Sequence, residues 1–142
     1  MKEYRKSYWP LVLWSLVLLP VMIGVATLAE KGGTDERGMI AVMMITVMLM
    51  LILLMWMIWK GEYVYWISGG PSFEEAKAAD REVRREFAWR HFTAMLRGEL
   101  ATTALLLIEY ALGAHEIVMA LSVGAGIVAS AISMIGIKWE DK

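Results

Sequence analysis

The chain has 142 residues, 58% of them hydrophobic and 20% charged, with a formal net charge of −1 and a mean hydropathy of +0.53. Three windows, Ser7 to Ala29, Gly38 to Trp59 and Ile117 to Ile137, run for 23, 22 and 21 residues without an Asp, Glu, Lys or Arg, and uncharged apolar runs of about 18 or more residues mark membrane-spanning helices. This pattern excludes a soluble globular enzyme, a nucleic-acid-binding module and a disordered tail, while the lack of cysteine removes disulfides, thiolate metal sites and a Cys nucleophile.

In chain order, Lys2, Arg5 and Lys6 precede the first apolar run in the manner of a signal peptide, and Thr27-Leu28-Ala29 resembles a weak cleavage site. The run is longer than a usual signal core, so the expectation is an uncleaved first span over about residues 9–29. Pro20 with Gly24 predicts a kink within it. The second span, about 38–60, holds Met39, Met43, Met44, Met48, Met50, Met55 and Met57. Thioethers suit Cu(I), but these methionines occur all round the helix with no Cys and no nearby His, which reads as adaptable packing. No metal site and no cofactor is expected.

Tyr63 to Ile67 is too aromatic for a free loop and predicts an extension of the second helix through the interface. Gly69-Gly70-Pro71 stops that helix, and Ser72-x-x-Glu75 is a capping box that starts another. From Phe73 no proline or glycine intervenes until Gly98, so the expected helix runs unbroken into the third span. Phe73, Ala76, Val83, Phe87 and Met95 mark one apolar face. Glu74, Glu75, Asp80, Glu82 and Glu86 balance Lys77, Arg81, Arg84, Arg85 and Arg90, which is a poor match to polybasic lipid-binding segments. Two readings stand: a solvated connector resting on the membrane, or a surface carrying Arg81, Arg84, Arg85 and Arg90 toward a protein partner.

The third span is the least obvious. Leu100 to Ala114 is 15 residues and contains Glu109; extension back through Phe92 to Leu96 gives a span of about 93–113, with Arg97 and Glu99 near the inner interface. His115-Glu116 then turns the chain into the fourth span, about 117–137. Intramembrane carboxylates are costly and end up paired, protonated or in contact with water. Glu109, with His115 and Glu116 nearby, is therefore a candidate cation or proton site; the structural alternative is a Glu bonded to Ser or Thr hydroxyls, or to Tyr110, at a packing seam. Ser122-x3-Gly126-x3-Ser130 is a small-residue run of the kind that lets helices approach closely, within the chain or in a homo-oligomer.

Four spans put both termini on one side. The N-terminus, the 60–97 segment and the tail carry 12 of the 14 basic residues, against Lys31 and Arg37 on the other face, so both termini are expected in the cytoplasm of a multi-pass plasma-membrane protein.

The stretch Lys60-Gly61-Glu62-Tyr63-Val64-Tyr65-Trp66-Ile67-Ser68-Gly69-Gly70-Pro71-Ser72-Phe73-Glu74-Glu75 resembles small, largely uncharacterised multi-span membrane proteins of bacteria, some of them similar to toxin-immunity proteins. The likeness covers 16 of 142 residues, and Gly70-Pro71 stands where that family usually has an aromatic residue and Asn. It implies no catalytic residues.

The expectation from sequence is thus an all-α integral membrane protein, one domain over 1–142, with four transmembrane helices and a cytoplasmic amphipathic hairpin over about 61–92. Its partners are the lipid bilayer and a protein or second copy, not nucleic acid. With no phosphate loop, nucleophile motif or zinc spacing, a non-enzymatic accessory, regulatory or immunity role leads. A small oligomeric transporter or channel using Glu109 is the alternative.

Overall fold

A computed structural model describes residues 4–139; Lys2 and Lys142, two of the basic residues in the orientation argument, lie outside that range. All regular structure among the described residues is helical: α1 Trp9–Lys31, α2 Glu36–Gly61, a 3-10 turn Val64–Trp66, α3 Phe73–Ala78, α4 Arg81–Ala111 and α5 Glu116–Ile135. Three helices, α1, α2 and α5, are long and apolar enough to cross a membrane. At 31 residues α4 is the longest, ~46 Å at 1.5 Å per residue, but Arg97, Glu99 and Glu109 keep it outside that apolar class.

Local chemistry explains the ends. Gly33 and Gly113 take φ of +73° and +79° in the two tight turns at one end of the bundle, a backbone region in which a side chain would be strained. Asp35 accepts from the Gly38 amide at 2.8 Å to start α2, and Ser72 and Glu75 form the expected capping box of α3. Those capping bonds from Ser72 hold the Glu75 carboxyl below its ordinary range.

Consecutive long helices run antiparallel. α1 rests on α2 through the Trp14 indole, which donates to the Met50 carbonyl at 3.0 Å. α4 lies between α2 and α5. At the turn end, Arg37 of α2 donates to the carbonyls of Ala114 (2.9 Å) and Tyr110 (2.5 Å), tying α2 to the last turn of α4. The cation stands at the carboxyl end of α4, where the helix dipole favours it.

The interior comprises two apolar clusters. Met55, Ile58, Val64, Ala76, Phe87, Ala88 and Met95 form one, nearest the termini. Ala41, Met48, Leu106, Met119 and Val123 form the other, nearest the tight turns. Large apolar side chains also point outward, among them Leu16, Leu19 and Leu28 of α1, Leu107 and Ile108 of α4, and Leu121 and Ile132 of α5. An apolar exterior around a partly polar interior suits a lipid surround.

Two expectations are corrected. The Tyr63 to Ile67 stretch does not extend α2: Glu62 takes a left-handed conformation (φ 59°), its amide bonds back to Ile58, and the chain turns at once into the 3-10 segment. The following helix is not unbroken either. α3 ends after Ala78, Ala79 is extended (ψ 156°), and α4 begins at Arg81. The break is held by the Arg84 guanidinium, whose Nη1 donates to the Ala76 and Ala79 carbonyls that α3 leaves open.

Candidate functional site

Two polar features interrupt the hydrophobic framework. The first is a knot at the end that gathers both described termini. Glu62 is 9% exposed, and its carboxylate receives Arg81 Nε at 2.7 Å and Arg84 Nε at 3.0 Å. Arg84 also stacks its guanidinium over the Tyr4 ring at 4.2 Å, and the Tyr4 hydroxyl donates to the Glu62 carbonyl at 2.6 Å. Burial pushes the Tyr4 phenol up from its usual range despite the nearby arginine. Tyr65 donates to the Ser7 carbonyl and accepts from the Ser7 amide, both at 2.8 Å, strapping the N-terminal segment to the turn after α2.

Of the four arginines singled out as a partner surface, Arg84 is therefore corrected. It is 8% exposed and faces inward, where its Nε meets the Glu62 carboxylate and its Nη1 meets two helix-end carbonyls. Arg81 shares Glu62 but leaves its side chain 72% exposed. Arg85 and Arg90 point outward, Arg85 lying over the Trp59 ring at 5.2 Å. Trp59, Glu82, Arg85, Glu86 and Trp89 line an open, shallow groove on this outer face. Glu86–Arg90 and Asp80–Arg84 have the i, i+4 spacing that favours ion pairs on a helix, but neither forms one among the described residues; Arg84 instead takes Glu62.

His91 lies one turn beyond the groove, on the inner face at 3% exposure. Its Nδ1 donates to the Phe87 carbonyl at 3.0 Å, which assigns the ring proton to that nitrogen. Burial holds its basicity below the usual imidazole range, against the opposing pull of the Phe87 carbonyl and with a further push from Arg90.

The second feature is the seam between α4 and α5. Gly98 faces Ser130, and Gly126 faces Thr102: a Cβ on Gly98 would stand 1.9 Å from Ser130 Oγ, and one on Gly126 would stand 2.1 Å from Thr102 Oγ1. Farther along the same seam, Ser122 Oγ donates to Glu109 Oε1 at 2.5 Å. The run Ser122, Gly126, Ser130 thus meets α4 of the same chain. Glu109 Oε2 is buried with no hydrogen-bond partner among the described residues. His115 and Glu116 do not join it. His115 caps α5 by accepting from the Ile117 amide at 3.3 Å, and its Nε2 lies 3.4 Å from Glu116.

Sequence reasoning placed Glu99 near the inner interface and did not single it out as a site. It is 0% exposed, lies on the inward stripe Met95, Glu99, Thr102, Leu106 of α4, and separates the two apolar clusters. Neither carboxyl oxygen has a hydrogen-bond partner among the described residues. The available signal was the i, i+4 spacing from Met95, which puts Glu99 on the buried face, whereas Arg97 at i+2 is exposed.

Fold and polar features together define an all-helical protein with three helices built for a membrane and a fourth long helix whose polar stripe is turned inward. Comparison with family models, with curated proteins and with solved structures finds no match.

Proposed function

We propose that the chain is a small, non-enzymatic, four-span protein of the plasma membrane, with both termini and residues 61–92 in the cytoplasm, that presents the first turns of α4 to a protein partner. The observation that carries this is the division of α4 between residues 81 and 90. Arg84, Phe87 and Ala88 are buried and locked, while Glu82, Arg85, Glu86, Trp89 and Arg90 stand exposed on the other side. A rigid helix with charges of both signs around an aromatic-walled groove offers a partner preorganised contacts.

Support for α4 as a fourth span comes from its outward residues over 100–112. Leu100, Leu105, Leu107, Ile108 and Leu112 are exposed and apolar, whereas Glu99, Thr102 and Leu106 are turned inward. The hydrocarbon core takes about 20 residues of helix, which leaves the 81–92 portion standing clear. Arg97 then reaches back to the headgroups. Orientation rests on the basic residues, 12 against 2. A regulatory, immunity or complex-subunit role is consistent with this arrangement and with the resemblance of residues 60–75.

The test is photo-crosslinking in cells from position 86 or 90, with position 121 on the outer face of α5 as the control. A single protein captured from 86 and 90 but not from 121, and lost on Arg85→Glu, supports the reading. Equal labelling from all three sites, or labelling unaffected by Arg85→Glu, removes it.

One observation favours the transporter or channel reading: Glu109 Oε2 is buried without a partner near the tight-turn end. Proton or cation flux through reconstituted vesicles that falls at least tenfold on Glu109→Gln would establish it; flux indifferent to that substitution would end it.

A further inference from the structure

We propose that Glu99 is an intramembrane proton-binding site: its carboxyl group carries a proton at neutral pH, and α4 packs between α2 and α5 in that neutral form. The inference concerns a different residue and a different face of α4 from the partner surface and does not depend on that surface; it rests on the reading of α4 as the fourth span.

The argument is one of exhausted alternatives. A buried ionised carboxylate needs a cation or several hydrogen-bond donors. Glu99 is fully buried, and among the described residues neither oxygen has a hydrogen-bond partner. Among the described residues, no cation faces it from any helix of the bundle. α1 over 9–29, α2 over 38–59 and α5 over 117–137 contain no ionisable side chain at all, so neither neighbour of α4 supplies one. On α4 itself the flanking groups are turned away or occupied. Arg97 is exposed, His91 spends its Nδ1 proton on Phe87, and Glu109, ten residues farther along, is itself acidic.

The hydroxyls of the region do not help an anion. Thr102 donates to the Gly98 carbonyl at 2.8 Å, Thr103 to the Glu99 carbonyl at 2.7 Å, and Ser130 to the Gly126 carbonyl at 2.9 Å. Each hydroxyl has one proton and two acceptor sites. With their protons directed to the backbone, none of these hydroxyls donates to the Glu99 carboxyl. Surroundings without donors or cations penalise a carboxylate far more than a neutral carboxylic acid. A metal ion fares worse than a proton, since among the described residues no three His, Cys, Asp or Glu side chains gather to hold one. Glu109 differs in having Ser122 as a donor to one oxygen.

Infrared spectroscopy of the full chain in lipid vesicles at neutral pH tests this directly. The expected spectrum contains the carbonyl stretch of a neutral carboxylic acid that shifts in heavy water, disappears in Glu99→Gln and persists in Glu109→Gln. Glu99 and Glu109 are the two carboxyl groups within the four spans. The Glu109→Gln spectrum therefore assigns the band even if Glu99→Gln fails to fold. A wild-type spectrum with carboxylate stretches alone, in sodium buffer and in buffer with an organic cation, overturns the proposal. So does an acid band that vanishes in Glu109→Gln.

Discussion

Gly126 of α5 lies so close to Thr102 of α4 that a Cβ at position 126 would meet the Thr102 side chain at 2.1 Å from Oγ1 and 2.6 Å from Cγ2. The approach is the α-helical equivalent of a key in a slot: the missing side chain on one helix admits the branched one on the other. It also brings polar backbone and hydroxyl groups together where lipid could not satisfy them.

Gly126→Ala should therefore push α5 away from α4 and lower stability by about 1–3 kcal/mol. Gly98→Ala, which meets Ser130 at 1.9 Å, should do the same. Gly124→Ala is the control on the same helix: no atom lies within 4 Å of its new methyl, and helix propensity favours alanine by roughly 1 kcal/mol. Thermal denaturation in one detergent compares all three, and an equal loss from Gly124→Ala and Gly126→Ala would contradict the seam.

Ser122→Ala leaves the Glu109 carboxyl without its one hydroxyl donor and should cost about 1–3 kcal/mol. Combining it with Glu109→Leu, which removes the orphaned group, should recover most of that loss. A double-mutant cycle in detergent reads the coupling; strict additivity would mean the two side chains do not interact.

Around Glu62 the two arginines should differ sharply. Arg84→Met strands a buried carboxylate half-satisfied and uncaps α3, a loss of about 3–5 kcal/mol. Arg81→Ala removes an ion pair whose cation is 72% exposed and should cost no more than about 1 kcal/mol. Limited proteolysis at 67–72, beside the unsupported α3, should accelerate for Arg84→Met and hardly change for Arg81→Ala.

His91 should make the protein acid-sensitive. Its folded-state basicity lies below that of an exposed imidazole because of burial, so the unfolded chain binds the proton more readily. Stability from this residue is fully present above the unfolded value of about 6.5 and drains away as pH falls through the lower folded value. Melting curves between about pH 7.5 and pH 5 should show the loss in the wild type, and His91→Gln should flatten that part of the profile. An unchanged slope in the variant would assign the sensitivity elsewhere.

The helices built from single apolar runs were legible in the sequence to within two residues at most ends, because charge alone bounds them: α2 ends at Gly61 where the expectation was 60, and α5 begins at Glu116 where it was 117. The capping box at Ser72 was equally plain, since both partners lie within one turn. What escaped were the long-range pairings. Nothing near Arg84 in sequence announces that Glu62, 22 residues earlier, will draw it inward and split a continuous-looking helix at Ala79. The same holds at Glu99. Its spacing from Met95 fits the buried face, but the neighbouring Arg97 gave the segment the look of an interface, and only the packing of α2 and α5 decides which of the two charges is enclosed.

The inward polar stripe of α4 also bears on how the protein is made. Glu99, Thr102 and the unpaired Glu109 oxygen are covered by neighbours on both sides, one already synthesised and one still to come. When α4 leaves the ribosome, α2 is in place but α5 does not yet exist, so half of that cover is missing. The turn at Leu112 to His115 is short, and Gly126 seats on Thr102, so α5 completes the cover by folding back on α4 as a hairpin. The second half of the fold is thereby completed as a pair, and a chain cut short before α5 would leave the polar stripe of α4 half uncovered.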